Sequence, residues 1–177
     1  MILSGKEIEQ QLKLGKIDIS PFDSSLVNPN SYNYRISNQL YEVVDSPLDA
    51  HKKSEAIKIE FNDDGYILQP NKLYLSSTYE EIGSSEFVVS LIGRSSIGRL
   101  GLYLQITADM SQLGAKHCWT LELHVVQPVK IYPGMKIGQV SFWTVAGDTA
   151  LRYSNKESNY AEYSHPQISN YYEELYQ

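Results

Sequence analysis

Cysteine is almost missing from this chain. Cys118 stands alone, which excludes an internal disulfide framework and fits a reducing compartment. Long apolar runs are missing too. Nothing approaches the ~20 consecutive apolar residues that cross a bilayer, and the first residues carry a capped-helix pattern rather than that of a leader, so a cytoplasmic protein with no membrane partner is expected. Positive charge is scarce, with 15 Lys and Arg against 21 Asp and Glu and a formal net charge of −6. A nucleic-acid backbone is bound through clustered Lys and Arg that displace counterions, so no nucleic-acid partner is expected either. A free small anion is a different matter, because a few local arginines suffice. The Gly-x-x-x-x-Gly-Lys-Ser/Thr phosphate loop, the nucleophile elbow and His-Glu-x-x-His are also absent, which removes three common hydrolytic chemistries.

What is present suits one domain. At 177 residues, 42% hydrophobic and 20% charged, the chain has enough apolar content for a single core. Ser4 as N-cap, Glu7 at the capping-box position and Leu3 against Ile8 as a hydrophobic staple predict a first helix, which Gly15 closes. Almost every later signal is β. Runs at 31–36, 56–61, 66–68, 72–78, 87–92, 102–107, 119–127 and 139–144 are separated by Gly, Pro, Asn and Asp. Strands at that spacing suggest a sandwich, jelly roll or distorted barrel. The polar stretch 45–55 reads as a loop. From about Ala146 the composition changes to a tail rich in Tyr and Glu, with Tyr153, Tyr160, Tyr163, Tyr171, Tyr172 and Tyr176. Such a tail either lies over a neighbouring subunit or caps its own sheet.

The most informative stretch is Leu91-Ile92-Gly93-Arg94-Ser95-Ser96-Ile97-Gly98-Arg99-Leu100-Gly101-Leu102, followed by Trp119-Thr120-Leu121-Glu122-Leu123. Together they offer guanidiniums, hydroxyls and a carboxylate in apolar frames. Arginine forks hold phosphate or carboxylate oxygens, and adjacent glycines let a ligand approach the backbone. Alternation puts Trp119, Leu121, Leu123 and Val125 on one face and Thr120, Glu122 and His124 on the other, so Glu122 belongs to the polar face of a half-buried strand. A carboxylate partly withdrawn from water can serve as a general base. The same pattern also fits a surface strand with ordinary polar residues. His124 reads as a surface residue or as a proton relay.

These residues resemble the dCTP deaminase branch of the dUTPase superfamily: Gly93-Arg94-Ser95-Ser96 through Arg99-Leu100-Gly101-Leu102, then Thr107-Ala108, then Leu121-Glu122-Leu123. Met1-Ile2-Leu3-Ser4, Ile19-Ser20-Pro21-Phe22-Asp23, Pro29-Asn30-Ser31-Tyr32 and Tyr132-Pro133-Gly134-Met135-Lys136-Ile137-Gly138 before Ser141-Phe142 follow family order, so the likeness runs from residue 1 to about 145. The resemblance implies a mainly β, dUTPase-like distorted barrel or jelly roll with a short N-terminal helix, a nucleotide-binding domain over 1–145 and a tail over 146–177. It implies hydrolytic deamination of a cytosine nucleotide, by default dCTP to dUTP and ammonia. Glu122 would activate the water, Ser95 would position it, and Arg99 would belong to the active-site network. Arg94, Ser96, Ala108, Gln112, Tyr153, Tyr163 and Gln167 would contact the nucleotide, with Arg94 reaching phosphate across a subunit boundary in a homotrimer. Mg2+ would be held by the triphosphate rather than by a protein cage. No zinc is expected, because His51, His117, His124, His165 and Cys118 cannot supply the ligand set of the zinc-dependent nucleobase deaminases.

Several positions depart from that pattern. Where these deaminases usually read Ile-Asp-Pro-Gly-Trp, this chain has Ser111-Gln112-Leu113-Gly114-Ala115, so Gln112 replaces the carboxylate that reads the sugar 3'-hydroxyl. Asn33 stands for an Asp, and Asp109 adds a carboxylate near the expected base pocket. In the tail, Glu162-Tyr163 with Gln167 is the nearest match to a Lys-Tyr pair and a Gln, and Glu for Lys opposes polyphosphate. The alternative to an enzyme is a non-catalytic trimeric nucleotide binder that sequesters or senses its ligand. A dUTP pyrophosphatase alone fits less well, because its sugar-loop Asp and Tyr are absent.

Overall fold

A computed structural model describes residues 1–104, 108–150 and 165–174. The chain opens with α1 (Gly5–Lys13) and β1 (Ile17–Ser20), then a 3-10 turn (Ser24–Leu26), β2 (Val27–Asn28), β3 (Ser31–Val43), β4 (Ala56–Ile59), β5 (Tyr66–Leu68), β6 (Leu73–Thr78) and β7 (Glu81–Ser84). It continues through β8 (Phe87–Gly93), α2 (Ser95–Gly98), β9 (Leu102–Leu104), β10 (Lys116–His117), β11 (Thr120–Val125), β12 (Val129–Ile131), β13 (Lys136–Thr144) and α3 (Tyr171–Glu174). The main sheet runs β8-β13-β3-β6-β11-β9, and smaller sheets β1-β7-β10 and β12-β5 complete a mainly β distorted barrel.

The helix forms as the sequence predicts. Ser4 Oγ accepts the Glu7 N–H, Gly15 follows the last turn at φ 69°, and Leu3 and Ile8 both enter the core. The Leu3 N–H donates to the Phe142 carbonyl at 2.9 Å, which fastens the helix to β13. Ile8 is fully buried, a contribution of about 1.5–3 kcal/mol.

The organising strand is β3, and it is longer than expected. The apolar pattern stops at Ile36 because Ser37, Asn38 and Gln39 read as punctuation, yet the strand continues to Val43. Its first half pairs with β13 (Tyr32 opposite Val140, Asn33 opposite Gln139) and its second half with β6 (Leu40 opposite Ser76, Tyr41 opposite Leu75). The register slips between Ile36 and Leu40, where the strand passes from one side of the barrel to the next. Ser37 there is buried together with Ser76 and Ser77 of the facing strand, and all three are satisfied: Ser77 Oγ lies 2.9 Å from Ser37 Oγ, and Ser76 Oγ–H donates to the Gln39 carbonyl at 2.6 Å. The phenol end of Tyr34 packs against Gly138, where a Cβ would sit 2.1 Å from the Tyr34 Cζ and hydroxyl, so glycine is required at that position. Asn33 is structural: its amide donates to the Leu26 carbonyl and to Asn28 Oδ1.

Beside the slip lies an ion pair buried on its acidic side, with Arg35 half-buried. Glu80, with no exposed surface, accepts the Arg35 Nε–H at 2.6 Å and the Arg35 backbone N–H at 2.9 Å. Burial works against the Arg35 charge, but the bond to Glu80 and the Glu80 charge outweigh it and raise the guanidinium pKa. The Arg35 guanidinium also lies 4.7 Å from the Tyr79 ring centre.

β1, β2, β7, β10 and β12 were not expected, being short or interrupted by Gly and charged residues. The loop at 45–55 is as read, tied at its base by the Val44 N–H to the Glu55 carbonyl at 3.1 Å.

Arg35→Met leaves the Glu80 carboxylate buried without its cation and is expected to cost about 3–5 kcal/mol in urea unfolding. Adding Glu80→Leu should recover part of that loss, whereas a double variant no more stable than the single would show that the pair has no such energetic role.

Candidate active site

The site is built from β11 outward. Leu121 and Leu123 are fully buried, Glu122 and Thr120 are half-buried, and His124 is exposed, so the alternation read from the sequence holds. The entry to β11 is held from three sides. The Trp119 N–H donates to Thr78 Oγ1 at 2.9 Å, the Trp119 carbonyl accepts the Thr78 N–H at 2.9 Å, and the indole Nε1–H donates to the Ile82 carbonyl at 2.9 Å. Thr78 Oγ1–H in turn donates to the Glu80 carbonyl, so the Arg35–Glu80 pair and the start of β11 share one corner.

Glu122 lines a cavity of about 420 Å³. Thr120 and Ala108 stand with it, and Leu73, Leu75, Val43 and Leu48 supply an apolar wall. His117, Cys118 and Trp119 form the side towards β10. The tail segment covers part of the opening: Gln167, Ile168 and Ser169 line it, and the Gln167 N–H donates to Thr120 Oγ at 3.1 Å. The described part of the tail therefore packs on its own chain. A cavity of this size with one carboxylate, one aromatic side and a mostly aliphatic wall suits a flat polar ring more than an extended chain.

Three more titratable residues, His117, Cys118 and His165, line this space. Burial lowers the pKa of His117, with Glu81 opposing only in part, so the imidazole is neutral near pH 7. Burial, then Glu81 and Glu80, raises the Cys118 pKa, which keeps the thiol protonated and makes it a poor nucleophile.

Of the residues expected at the site, the fold brings Glu122, Ala108 and Gln167 together. Arg94, Ser95, Ser96 and Arg99 form a separate group at α2, where the Arg94 carbonyl accepts the Ile97 and Gly98 N–H groups. Ser95, Ser96 and Arg99 are exposed, Arg94 is half-buried, and none of the four lines the cavity. Gln112 is exposed on a turn closed by the Ala115 N–H to the Gln112 carbonyl, and it is not a lining residue either. Asp109 ties its segment to β8 through the Leu91 N–H and Ser90 Oγ–H instead of entering the cavity. Tyr153, Tyr163 and Glu162 lie outside the described residues. The structure adds His117, Trp119 and Thr120 to the site, residues whose only sequence signal is membership of the run that leads into Glu122.

A family model described as dCTP deaminase-like matches residues 2–145. A dCTP deaminase, dUMP-forming, from Hathewaya histolytica is 43% identical over 159 residues, covering 90% of this chain and 92% of that protein. One of the same name from Cytophaga hutchinsonii is 42% identical, covering 93% of this chain and 91% of the relative. A dCTP deaminase from Rhodopirellula baltica is also 42% identical, covering 90% and 80%. Among solved structures, the 2'-deoxycytidine 5'-triphosphate deaminase of Agrobacterium tumefaciens shares the fold at a TM-score of 0.61 and 19% identity. The match covers 80% of this chain and 46% of that one, so this chain spans about half of its length.

Thr120→Val removes the acceptor of the Gln167 N–H. Losing one such bond is worth about 0.5–1.5 kcal/mol, so the Gln167 amide hydrogen is expected to exchange roughly 2- to 10-fold faster in the variant. Unchanged exchange would mean that Pro166 and Ile168 hold the segment without that bond.

Proposed function

The chain belongs to the dCTP deaminase-like family, and from that premise we propose that it deaminates dCTP hydrolytically at the cavity around Glu122. The observation that carries the reading is a half-buried carboxylate on a rigid strand, facing a ring-sized cavity. Glu122 takes a proton from water, the hydroxide adds to C4 of the cytosine ring, and the proton passes on to the amine, which leaves as ammonia. The Ala108 backbone approaches the base edge. Product dUTP, the default from the motif alone, gives way to dUMP: two relatives at 42–43% identity are named dUMP-forming. A second water then cleaves between the α and β phosphates, releasing pyrophosphate.

The arginines require a second copy of the chain. Arg94, Ser95, Ser96 and Arg99 do not line the cavity of their own chain, and α2 is flanked by exposed Ile92, Leu100 and Tyr103. In our reading a homotrimer lays α2 of one subunit against the cavity of the next, where Ser95 orients the water, Arg99 joins the network around it, and Arg94 and Ser96 hold phosphate. Mg2+ would be held by the triphosphate, whose charge it would neutralise. The donor set suits this, since Glu122 is the one carboxylate among the described lining residues and cannot alone build a protein cage. Gln167 of the tail helps to enclose the nucleotide, and the protein acts in the cytoplasm.

Glu122→Gln keeps the shape and removes the base. Deamination should fall by at least ~10²-fold while nucleotide binding persists, read by ammonia release and by equilibrium binding. Full turnover in the variant would sink the role of Glu122, and wild-type binding without ammonia release would favour the sequestering alternative.

Sedimentation at micromolar concentration should give a trimer. Arg94→Ala should raise KM with the trimer intact, whereas a monomer that turns over dCTP would contradict the shared site.

A further inference from the structure

Glu122 is not alone on its face of β11. Thr120, two residues earlier, belongs to the same face, is half-buried like Glu122 and lines the same cavity, while the fully buried Leu121 between them turns to the core. Residues so placed stand about 6.6 Å apart along a strand, so a flat ring lying along this face meets both side chains. An apolar floor for such a ring comes from β6, where Leu75 pairs with Glu122 in register and lines the cavity as well. The Thr120 hydroxyl is set as a donor. Its Oγ1 already accepts the Gln167 N–H at 3.1 Å, and among the described residues no acceptor takes its own proton. A hydroxyl carries one proton and two lone pairs, so the tail occupies an accepting position and the O–H is left for a ligand. The side chain is also stiff, because branching at Cβ restricts χ1, and the Trp119 N–H bond to Thr78 Oγ1 fixes the backbone just before it.

We propose that Thr120 is a base-reading residue of this site, its O–H donating to the 2-carbonyl oxygen of the cytosine ring. The inference rests on the deaminase reading. With the 4-amino group at Glu122, the ring edge that continues from it carries only acceptors, N3 and then O2, so the next side chain along the strand face must donate. That neighbour is Thr120. On the other side of Glu122 the same face offers only His124, which is exposed and does not line the cavity, so the base edge has one direction in which to run. A hydroxyl suits the task because it stays neutral and does not compete with Glu122 for the proton taken from water.

The test compares dCTP with 2-thio-2'-deoxycytidine triphosphate, in which sulfur, a weak acceptor, replaces O2. Both are offered to the full-length wild type, Thr120→Val and Thr120→Ser, with Thr120→Ala as a smaller replacement should the Val variant not fold. Wild type should bind dCTP about 10-fold more tightly than the thio analogue, the order of one hydrogen bond lost with its donor left unsatisfied. In Thr120→Val the preference should fall to within about two-fold, with the loss confined to dCTP and carried by KM while kcat holds, and Thr120→Ser should restore it. Binding in a Glu122→Gln background should repeat the pattern, free of any effect of sulfur on ring reactivity. Loosening of the tail alone weakens both nucleotides alike and leaves their ratio unchanged. A wild type with no preference, a preference that persists in Thr120→Val, or equal weakening of both nucleotides therefore overturns the inference and leaves the deaminase reading standing. A preference that Thr120→Val erases, in a protein that releases no ammonia, upholds the base contact and overturns the deaminase reading. A wild type that binds neither nucleotide overturns both.

Discussion

The buried Glu80 carboxylate is the constraint on which the other features hang. Its oxygens take the backbone and side-chain N–H groups of Arg35, its carbonyl takes the Thr78 hydroxyl, and that hydroxyl takes the Trp119 N–H. One residue thus ties together the place where β3 changes partners, the β6–β7 corner and the entry to β11. Burying the Glu80 charge is costly, and a well-packed apolar pair could match the stability. What the pair supplies here is position. It fixes where β11 begins, and with it which of Thr120, Leu121 and Glu122 faces the cavity.

A rigid entry to β11 matters because a slip of one residue would exchange the faces of the strand, turning Glu122 into the core and Leu121 or Leu123 into the cavity. The buried leucines hold the same register from the other side, each fully enclosed. Packing and electrostatics therefore converge on one outcome, a carboxylate half out of water at a place where it cannot swing far. The aromatic and imidazole side of the cavity is set by the same corner, since Trp119 is both the strand's first anchor and the surface against which His117 lies.

The two halves of the expected constellation behave differently. Glu122, Ala108 and Gln167 meet within one chain although they come from distant stretches of sequence. The α2 group of Arg94, Ser95, Ser96 and Arg99 stays on the surface, in a short turn whose own backbone bonds are satisfied. A motif of consecutive residues is easy to read in a sequence because it is local, but locality says nothing about which surface it faces. Serines at the β3 switch illustrate the reverse difficulty. Ser37 looks like a loop residue, yet it is buried and its hydroxyl lies against that of Ser77 on the neighbouring strand, which is how a polar run can remain strand.

The sequence by itself determined the helix and its caps, the β-rich class, most strand positions and the polar face that carries Glu122, because each depends on local spacing or on alternation along a single strand. It also carried the family order of motifs from residue 1 to about 145. The tertiary structure decided what depends on residues far apart in the chain: the continuation of β3 through its polar stretch, the short strands β7 and β10 that exist only by pairing, the Arg35–Glu80 bond, and the seating of His117 against Trp119. These are long-range pairings of short or polar segments, whose stability comes from the partner strand and not from their own composition, so no local pattern announces them.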